Sequence, residues 1–283
     1  MKDSLFIEPK TLKSKSVKSN VKILDATFFL PDSGLNAEEE YKKKHIPNSL
    51  FFDINKIADP KNPLPHMIPS KELFSIMMQN LGINNQDEII IYDNSPLLSS
   101  ARAWFLFRYF CHENIFILNG GLKNWEKSGG EITNKKTVIP KGDFQSKTEK
   151  KDLVVDLNQM ISVSNDNSKL ILDARSYKRF TGEAKEPRPG LLSGHIPNSK
   201  SLPSSDLVTS DGFLKSIEEL EKIFDSNNIN KSDQIIATCG SGVSACVITV
   251  ALHCLGKKNV PIYDGSWTEW ASSGQKIQTS SLI

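Results

Sequence analysis

Apolar residues fall along the chain in two alternating rhythms. Short runs rich in β-formers, among them Ile23-Leu24, Ile89-Ile90-Ile91-Tyr92, Ile117-Leu118, Ile171-Leu172, Ile235-Ile236-Ala237 and Ile262-Tyr263, read as strands. Between them lie stretches with helical spacing. Residues 73–78 and 220–224 are amphipathic, and each closes before a polar turn. Residues 101–110 and 246–252 also read as helices, with the aromatics of the former belonging to the core. Strands alternating with helices predict an α/β fold, built on a mainly parallel sheet flanked by helices.

The alternation occurs twice. Ile23–Thr27 matches Ile171–Arg175, and Lys44-His45-Ile46-Pro47-Asn48-Ser49 matches Gly194-His195-Ile196-Pro197-Asn198-Ser199. Ile89–Asp93 matches Ile235–Cys239, and Ile117–Trp125 matches Ile262–Trp270. The spacing stays between 145 and 150 residues. Four ordered matches at a nearly constant offset indicate duplication of a domain, not a solenoid with its period of about 20–50 residues. The expected division is a first domain over 1–131, a polar, lysine-rich linker with Pro and Gly over 132–151, and a second domain over 152–283.

Composition narrows the function. The chain has 283 residues, 38% hydrophobic and 24% charged, with a net charge of +2. That balance suits a globular protein and gives no reason to expect nucleic acid as a partner. No apolar run approaches the ~18 residues of a membrane span. The stretch Met1–Pro9 lacks the apolar core of a secretory signal, so a cytoplasmic location is expected. Four cysteines, at 111, 239, 246 and 254, make no disulfide framework and no C-x-x-C pair. Cys246, His253 and Cys254 imitate a ligand spacing, but no second pair completes a tetrahedral site, so no metal is expected.

The duplicated positions are not equivalent. A strand ends on Cys239, followed by the loop Gly240-Ser241-Gly242-Val243-Ser244 and a helix beginning near Ala245. A sulfur there faces a helix amino terminus, whose free N–H groups and dipole favour negative charge. The thiolate is the attacking form of cysteine. Gly240 and Gly242 let the loop curl around a small anion. The first half has Asp93-Asn94-Ser95-Pro96-Leu97-Leu98 instead. It carries no sulfur, and Pro96 removes an N–H from any cradle. The expectation is one catalytic half, with the other shaping the cleft between them. His45 and His195 lie in a turn kept in both halves and are read as braces of the fold.

At these motifs the chain resembles the tandem-rhodanese sulfurtransferases, and among them the 3-mercaptopyruvate sulfurtransferases. The resemblance runs from about Leu24 to Trp270. It rests on Leu24-Asp25-Ala26, His45-Ile46-Pro47, Phe52-Asp53-Ile54, His66-Met67-Ile68-Pro69, Arg179-Phe180, Glu186-Pro187-Arg188, Gly194-His195-Ile196-Pro197 and the Cys239 loop. Mercaptopyruvate enzymes typically carry Cys-Gly-Ser-Gly-Val-Thr, and thiosulfate enzymes Cys-Arg-Lys-Gly-Val-Thr. Cys239-Gly240-Ser241-Gly242-Val243-Ser244 is similar to the former, with Ser244 in place of threonine.

The resemblance implies two rhodanese-like domains in tandem. Cys239 would take sulfur from 3-mercaptopyruvate as a persulfide and pass it to a thiol acceptor such as thioredoxin or glutathione, or to cyanide, with no cofactor. Amides from Gly240 through Gly242, Val243, Ser244 and Ala245 would stabilise the thiolate and persulfide. Arg179 and Arg188 would bind the carboxylate and keto oxygen, a task suited to a planar guanidinium. Without the motif match, the same arginines read as surface residues paired with Glu183 and Glu186. Asp53, His66 and Ser241 would form a serine-protease-like relay that polarises the carbonyl or delivers a proton. The alternative stays open at this point: Asp53 caps a helix and His66 packs against Pro65 and Pro69. Two other functions also stand, thiosulfate sulfurtransferase and a non-enzymatic persulfide carrier or docking module.

Overall fold

The computed structural model describes residues 5–230 and 233–279. Residues 1–4, part of the stretch read for a leader, and 280–283, the end of the expected second domain, lie outside the described residues.

Each half builds one five-stranded sheet, and every strand pair is parallel. The first half supplies β1 (Phe6–Ile7), β2 (Val21–Asp25), β3 (Ser49–Phe51), β4 (Glu88–Tyr92) and β5 (Ile115–Leu118), in the order β1-β5-β4-β2-β3. The second supplies β6 (Val154–Val155), β7 (Leu170–Asp173), β8 (Ser199–Ser201), β9 (Ile235–Thr238) and β10 (Ile262–Tyr263), in the order β6-β10-β9-β7-β8. The two orders are the same pattern, as the sequence repeat requires. In β4 and β9 almost every side chain is buried, because parallel strands are covered on both faces.

The amphipathic stretches form the helices Lys71–Asn80 and Ile217–Ser226, each opened by a serine side chain that accepts an amide N–H of the first turn. The helices Ser100–Tyr109 and Ala245–Cys254 follow the two duplicated loops. Both are buried on nearly every face, because one side covers its own sheet and the other meets the opposite half. One apolar core therefore runs through both halves, from Leu24 and Ile91 to Val247 and Ile262, with a smaller apolar cluster of its own in each half.

The stretch 132–151 is mostly exposed and is fastened to the first half at a few points. Thr133 exchanges backbone hydrogen bonds with His45, the Gly142 amide donates to the Gln79 carbonyl, and Phe144 is buried among Phe74 and Phe107. His45 and His195 occupy matched places. Each makes an isolated bridge to a late segment and stacks on an aromatic ring, Tyr41 and Phe180 respectively.

Candidate active site

The parallel sheets aim the carboxyl ends of β4 and β9 into the seam between the halves, where ligands of such sheets bind. Cys239, the residue after β9, is 1% exposed. It lines a cavity of about 150 Å³. The opposite wall comes from the first half, through Phe28, Leu30 and Leu97. Neither half forms this cavity alone.

The loop after Cys239 is tied from behind. The Ser266 hydroxyl accepts from the Gly242 amide at 3.0 Å and the Cys239 amide at 3.4 Å, and donates to the Tyr263 carbonyl at 2.7 Å. The Trp267 amide donates to the Cys239 carbonyl, and the Thr268 amide and hydroxyl to the Gly240 carbonyl. Gly242 turns with φ +76°, where a Cβ would approach Asp264 and Arg102 at 3.1 Å. With the carbonyls engaged behind, the amides of Gly240, Ser241, Val243, Ser244 and Ala245 have no intramolecular acceptor among the described residues. They stand at the amino terminus of Ala245–Cys254, available to an anion. Val243 and Ala245 direct their side chains into the core, and Ser244 lines the cavity.

Burial pushes the Cys246 thiol up to about 12 and Cys254 to about 11, so both stay protonated. Cys246 lies behind the loop and donates to the Gly242 carbonyl at 3.3 Å. His253 packs edge-on to Trp104 and beside Arg108. Among the described residues no group of three or more His, Cys, Asp or Glu is placed to hold a metal ion.

Arg179 and Arg188 both reach the cavity. A Cβ at Gly240 would lie 3.1 Å from Arg179 Nη2 and 3.9 Å from Arg188 Nη1, so any larger residue at 240 would displace a guanidinium. The two arginines differ in their partners. Arg179 donates to Glu186 through Nε at 3.2 Å and Nη2 at 2.5 Å. Glu186 is itself held by Arg175 at 2.8 Å, and Arg175 forks onto Asp173 at the end of β7 and stacks 4.2 Å over Trp267. Arg188 has no carboxylate partner among the described residues and donates only to Ser241 Oγ, at 3.3 Å. Burial holds its pKa below the usual arginine range, with Arg179 adding repulsion and the nearby Cys239 sulfur opposing both. It is the cavity's uncompensated cation.

His66 Nδ1 lies 2.9 Å from Ser241 Oγ, across the domain seam. Its other nitrogen, Nε2, lies 2.9 Å from Asn55 Oδ1 and is not bonded to Asp53. This corrects the relay expected from the sequence. Asp53 Oδ1 accepts from the amides of Asn55 and Lys56, and its carboxylate pairs with the Lys56 ammonium at 3.0 Å, so it caps its own turn. The backbone of His66 sits at φ +62°, an unfavourable conformation for a side chain of this size. Arg102 secures it by donating to the His66 carbonyl at 2.5 Å. The same guanidinium donates to the Gly242 carbonyl at 3.1 Å and pairs with Asp264 at 3.1 Å, while Asp264 accepts from the Ile68 amide. Arg102 and Asp264 are thus a buried ion pair that couples the histidine segment to the cysteine loop.

Asn55, Arg102, Asp264 and Ser266 were not singled out from the sequence, whereas the pairing of Arg179 with Glu186 was one of the readings open there. For Ser266 a signal existed, since the repeat sets it against Gly121. For Arg102 none did, because Gly242 and Asp264 lie 140 and 162 residues away; Asn55 is 11 residues from His66, and the direction of its side chain is set by the turn that Asp53 caps.

The rhodanese-like domain family matches twice, at residues 8–128 and 154–273. The chain belongs to this family. It is 42% identical over 275 residues to the protein of Arabidopsis thaliana named thiosulfate/3-mercaptopyruvate sulfurtransferase 1, mitochondrial, covering 89% of this chain and 72% of the relative. It is 39% identical over 253 residues to 3-mercaptopyruvate sulfurtransferase of Escherichia coli K12, covering 89% of each. The crystal structure of SseA from Escherichia coli, titled as revealing the fold and mechanism of 3-mercaptopyruvate sulfotransferases, superposes with a TM-score of 0.85. The two are 35% identical, over 93% of this chain and 99% of that one. The tandem α/β architecture expected from the sequence is the one observed.

Proposed function

We propose that the chain is a sulfurtransferase that takes its sulfur from 3-mercaptopyruvate. The Cys239 thiolate attacks the substrate sulfur. The carbon–sulfur bond breaks, its electron pair leaves on the enolate of pyruvate, and the enolate takes up a proton. Cys239 now carries a persulfide. An acceptor thiolate attacks the outer sulfur, the sulfur–sulfur bond breaks, and the Cys239 thiolate returns as the acceptor persulfide departs. Cyanide in place of the thiol gives thiocyanate.

The observation that carries the reading is the place of Arg188, a cation without a carboxylate partner among the described residues, which reaches the cavity beside the cysteine loop, 3.3 Å from Ser241 Oγ. Its guanidinium would hold the carboxylate of a small keto acid whose sulfur is turned toward Cys239. Arg179, neutralised by Glu186, contributes position and a donor more than net charge. A thiosulfate donor is the second reading, favoured by the printed name of the Arabidopsis relative. Gly240 and Ser241 place no cation beside the sulfur to hold that dianion.

Mass spectrometry of the protein after mercaptopyruvate addition tests the proposal. One added sulfur on Cys239 with matching pyruvate release supports it; sulfur uptake without pyruvate would leave a carrier instead. Arg188→Ala is expected to raise KM for mercaptopyruvate about 10- to 100-fold, the worth of a charged hydrogen bond, and to change KM for thiosulfate far less. Equal effects on both donors would remove Arg188 from carboxylate binding.

A thiol protein or glutathione is proposed as acceptor, since either supplies the thiolate that the second step needs. Among the described residues no helix is long and apolar enough to cross a membrane. The cytoplasm is proposed as the compartment because it would keep all four cysteines reduced, the state seen here. Fractionation would test this, with recovery in mitochondria the contrary outcome.

A further inference from the structure

The row of hydrogen bonds leading out of the cavity through Ser241 has a direction, and its two ends set it. Arg188 is a guanidinium and can only donate. Its Nη2 lies 3.3 Å from Ser241 Oγ, which therefore accepts there. The Ser241 hydroxyl has one proton to give, and His66 Nδ1 lies 2.9 Å away to take it. With Nδ1 accepting, the ring proton of a neutral imidazole sits on Nε2, 2.9 Å from Asn55 Oδ1. An amide oxygen can only accept. The four groups therefore read Arg188 to Ser241 to His66 to Asn55, every bond donated the same way.

We propose that Asn55 is a positioning residue of this site. It locks His66 as the uncharged Nε2–H tautomer, so that Ser241 is held as an acceptor for Arg188 and the row places a guanidinium instead of shuttling protons.

The surroundings of His66 fit this role. Arg102 bonds its carbonyl and Arg188 is one hydroxyl away, both cationic. Asp264 is engaged by Arg102 and the Ile68 amide. Asp53 is spent on its own turn and Lys56. Phe28 meets the ring edge-on, with centroids 5.1 Å apart. Among the described residues no carboxylate is bonded to the imidazole to stabilise an imidazolium. Burial, Arg102 and Arg188 hold the His66 pKa down at about 3, so the ring stays neutral across the working range. The ring is also fixed at both nitrogens and its backbone at φ +62°, which leaves it no easy rotation. A carboxylate at 55 would reverse the row: the imidazole would charge, Nδ1 would donate, and the Ser241 hydroxyl would turn.

The test has a spectroscopic arm and a kinetic arm, and only the kinetic arm rests on the mercaptopyruvate reading. The protein is labelled with 15N-histidine, and the His66 ring signals are identified by their loss in His66→Gln. The wild type is expected to show the Nε2–H tautomer without titration from pH 5 to 9, and Asn55→Asp to acquire a titration inside that window. In the kinetic arm, Asn55→Ala is expected to raise KM for mercaptopyruvate about fivefold with kcat changed less than twofold, the mark of a mispositioned Arg188. Asn55→Asp, which keeps an acceptor for Nε2–H, should restore KM at alkaline pH. An Nδ1–H or titrating His66 in the wild type overturns the proposal, and so does an unchanged KM in Asn55→Ala. If mercaptopyruvate is not turned over at all, the donor assignment fails, and the tautomer measurement still decides the role of Asn55.

Discussion

The two halves share one sheet order and one loop position, yet only the second places a cysteine at the head of that loop. The loop after β4 fills its own cradle. The Asp93 carboxylate accepts from the amides of Ser95 at 3.1 Å and Ser100 at 2.9 Å, and from the Ser95 hydroxyl. Burial raises the Asp93 pKa, and these bonds oppose the shift. The loop after β9 leaves the amides of Gly240, Ser241, Val243, Ser244 and Ala245 without internal acceptors among the described residues and presents Cys239 instead.

Two neighbouring positions diverge with it. Thr27 becomes Arg175: the threonine hydroxyl ties the Asn94 amide, whereas the arginine reaches Glu186 and through it Arg179. Gly121 becomes Ser266, whose hydroxyl ties the cysteine loop from behind. The first half keeps the scaffold and lends His66, Asn55 and Arg102 to the other side. The two copies thus differ in what they bring to the seam: one the cysteine loop, the other the residues that complete the pocket.

The largest break in this comparison is at the loop residue. Cys239→Ser should reduce pyruvate release to background while thermal unfolding stays within a few degrees of wild type. Placing Asp93→Cys in that background should not restore turnover, because Pro96 offers no amide and no Arg179–Glu186 assembly stands beside it. Turnover in the double variant would mean that the scaffold alone arms a cysteine.

The seam comes next. Arg102→Met leaves Asp264 buried and unpaired, and should cost about 3–5 kcal/mol by denaturant titration. Activity per folded molecule should also fall, since the Gly242 and His66 carbonyls lose their shared donor. A variant as stable as wild type would show that the halves are held by apolar packing alone.

Acid should weaken the same seam. The folded pKa of His66 is about 3 against an ordinary value of 6.5, so the unfolded chain takes up a proton at this residue before the folded one does. Its contribution to stability is full above pH 7 and is lost as pH falls from 6.5 toward 3, amounting to a few kcal/mol in order of magnitude. The stability gap between wild type and His66→Gln, followed by denaturant titration from pH 7 to 4, should narrow. That difference removes the opposing contribution of Asp25, whose carboxyl burial pushes up to about 6. A constant gap would refute the buried, neutral histidine.

The smallest effect is a swap of the tying residue. Ser266→Gly copies the first half, relieves φ +51° and removes the hydroxyl, and should cost about 1 kcal/mol with a severalfold loss in kcat/KM. Gly121→Ser is the asymmetric partner. Its Cβ would lie 2.3 Å from the Asp93 carbonyl oxygen, so it should destabilise more, as the two unfolding midpoints would show.

Much of this was readable in advance. The duplication, the parallel α/β architecture and the place of Cys239 at a strand end follow from local patterns, because strands, turns and helix starts are specified by residues close in sequence, whereas Arg179 and Arg188 were implied only by the family resemblance. The relay was read one acceptor out of place. Asp53 is a carboxylate in the right segment, but the turn at 53–56 uses it as a cap and turns Asn55 toward His66. The stretch 132–151 lies between the two family matches, and Phe144 and the Gly142 amide fasten it to the first half, contacts that its composition does not announce.

The sequence by itself determined what each half is and which half carries the nucleophile, since both rest on short-range patterns and on which residue types can do the chemistry. Only the tertiary structure decided that Asn55 stands behind His66, that Arg188 and not Arg179 is the free cation, and that Arg102 with Asp264 joins the two halves. Those assignments depend on contacts from 11 to 162 residues apart. Burial and hydrogen-bond geometry set them, and no local pattern encodes either.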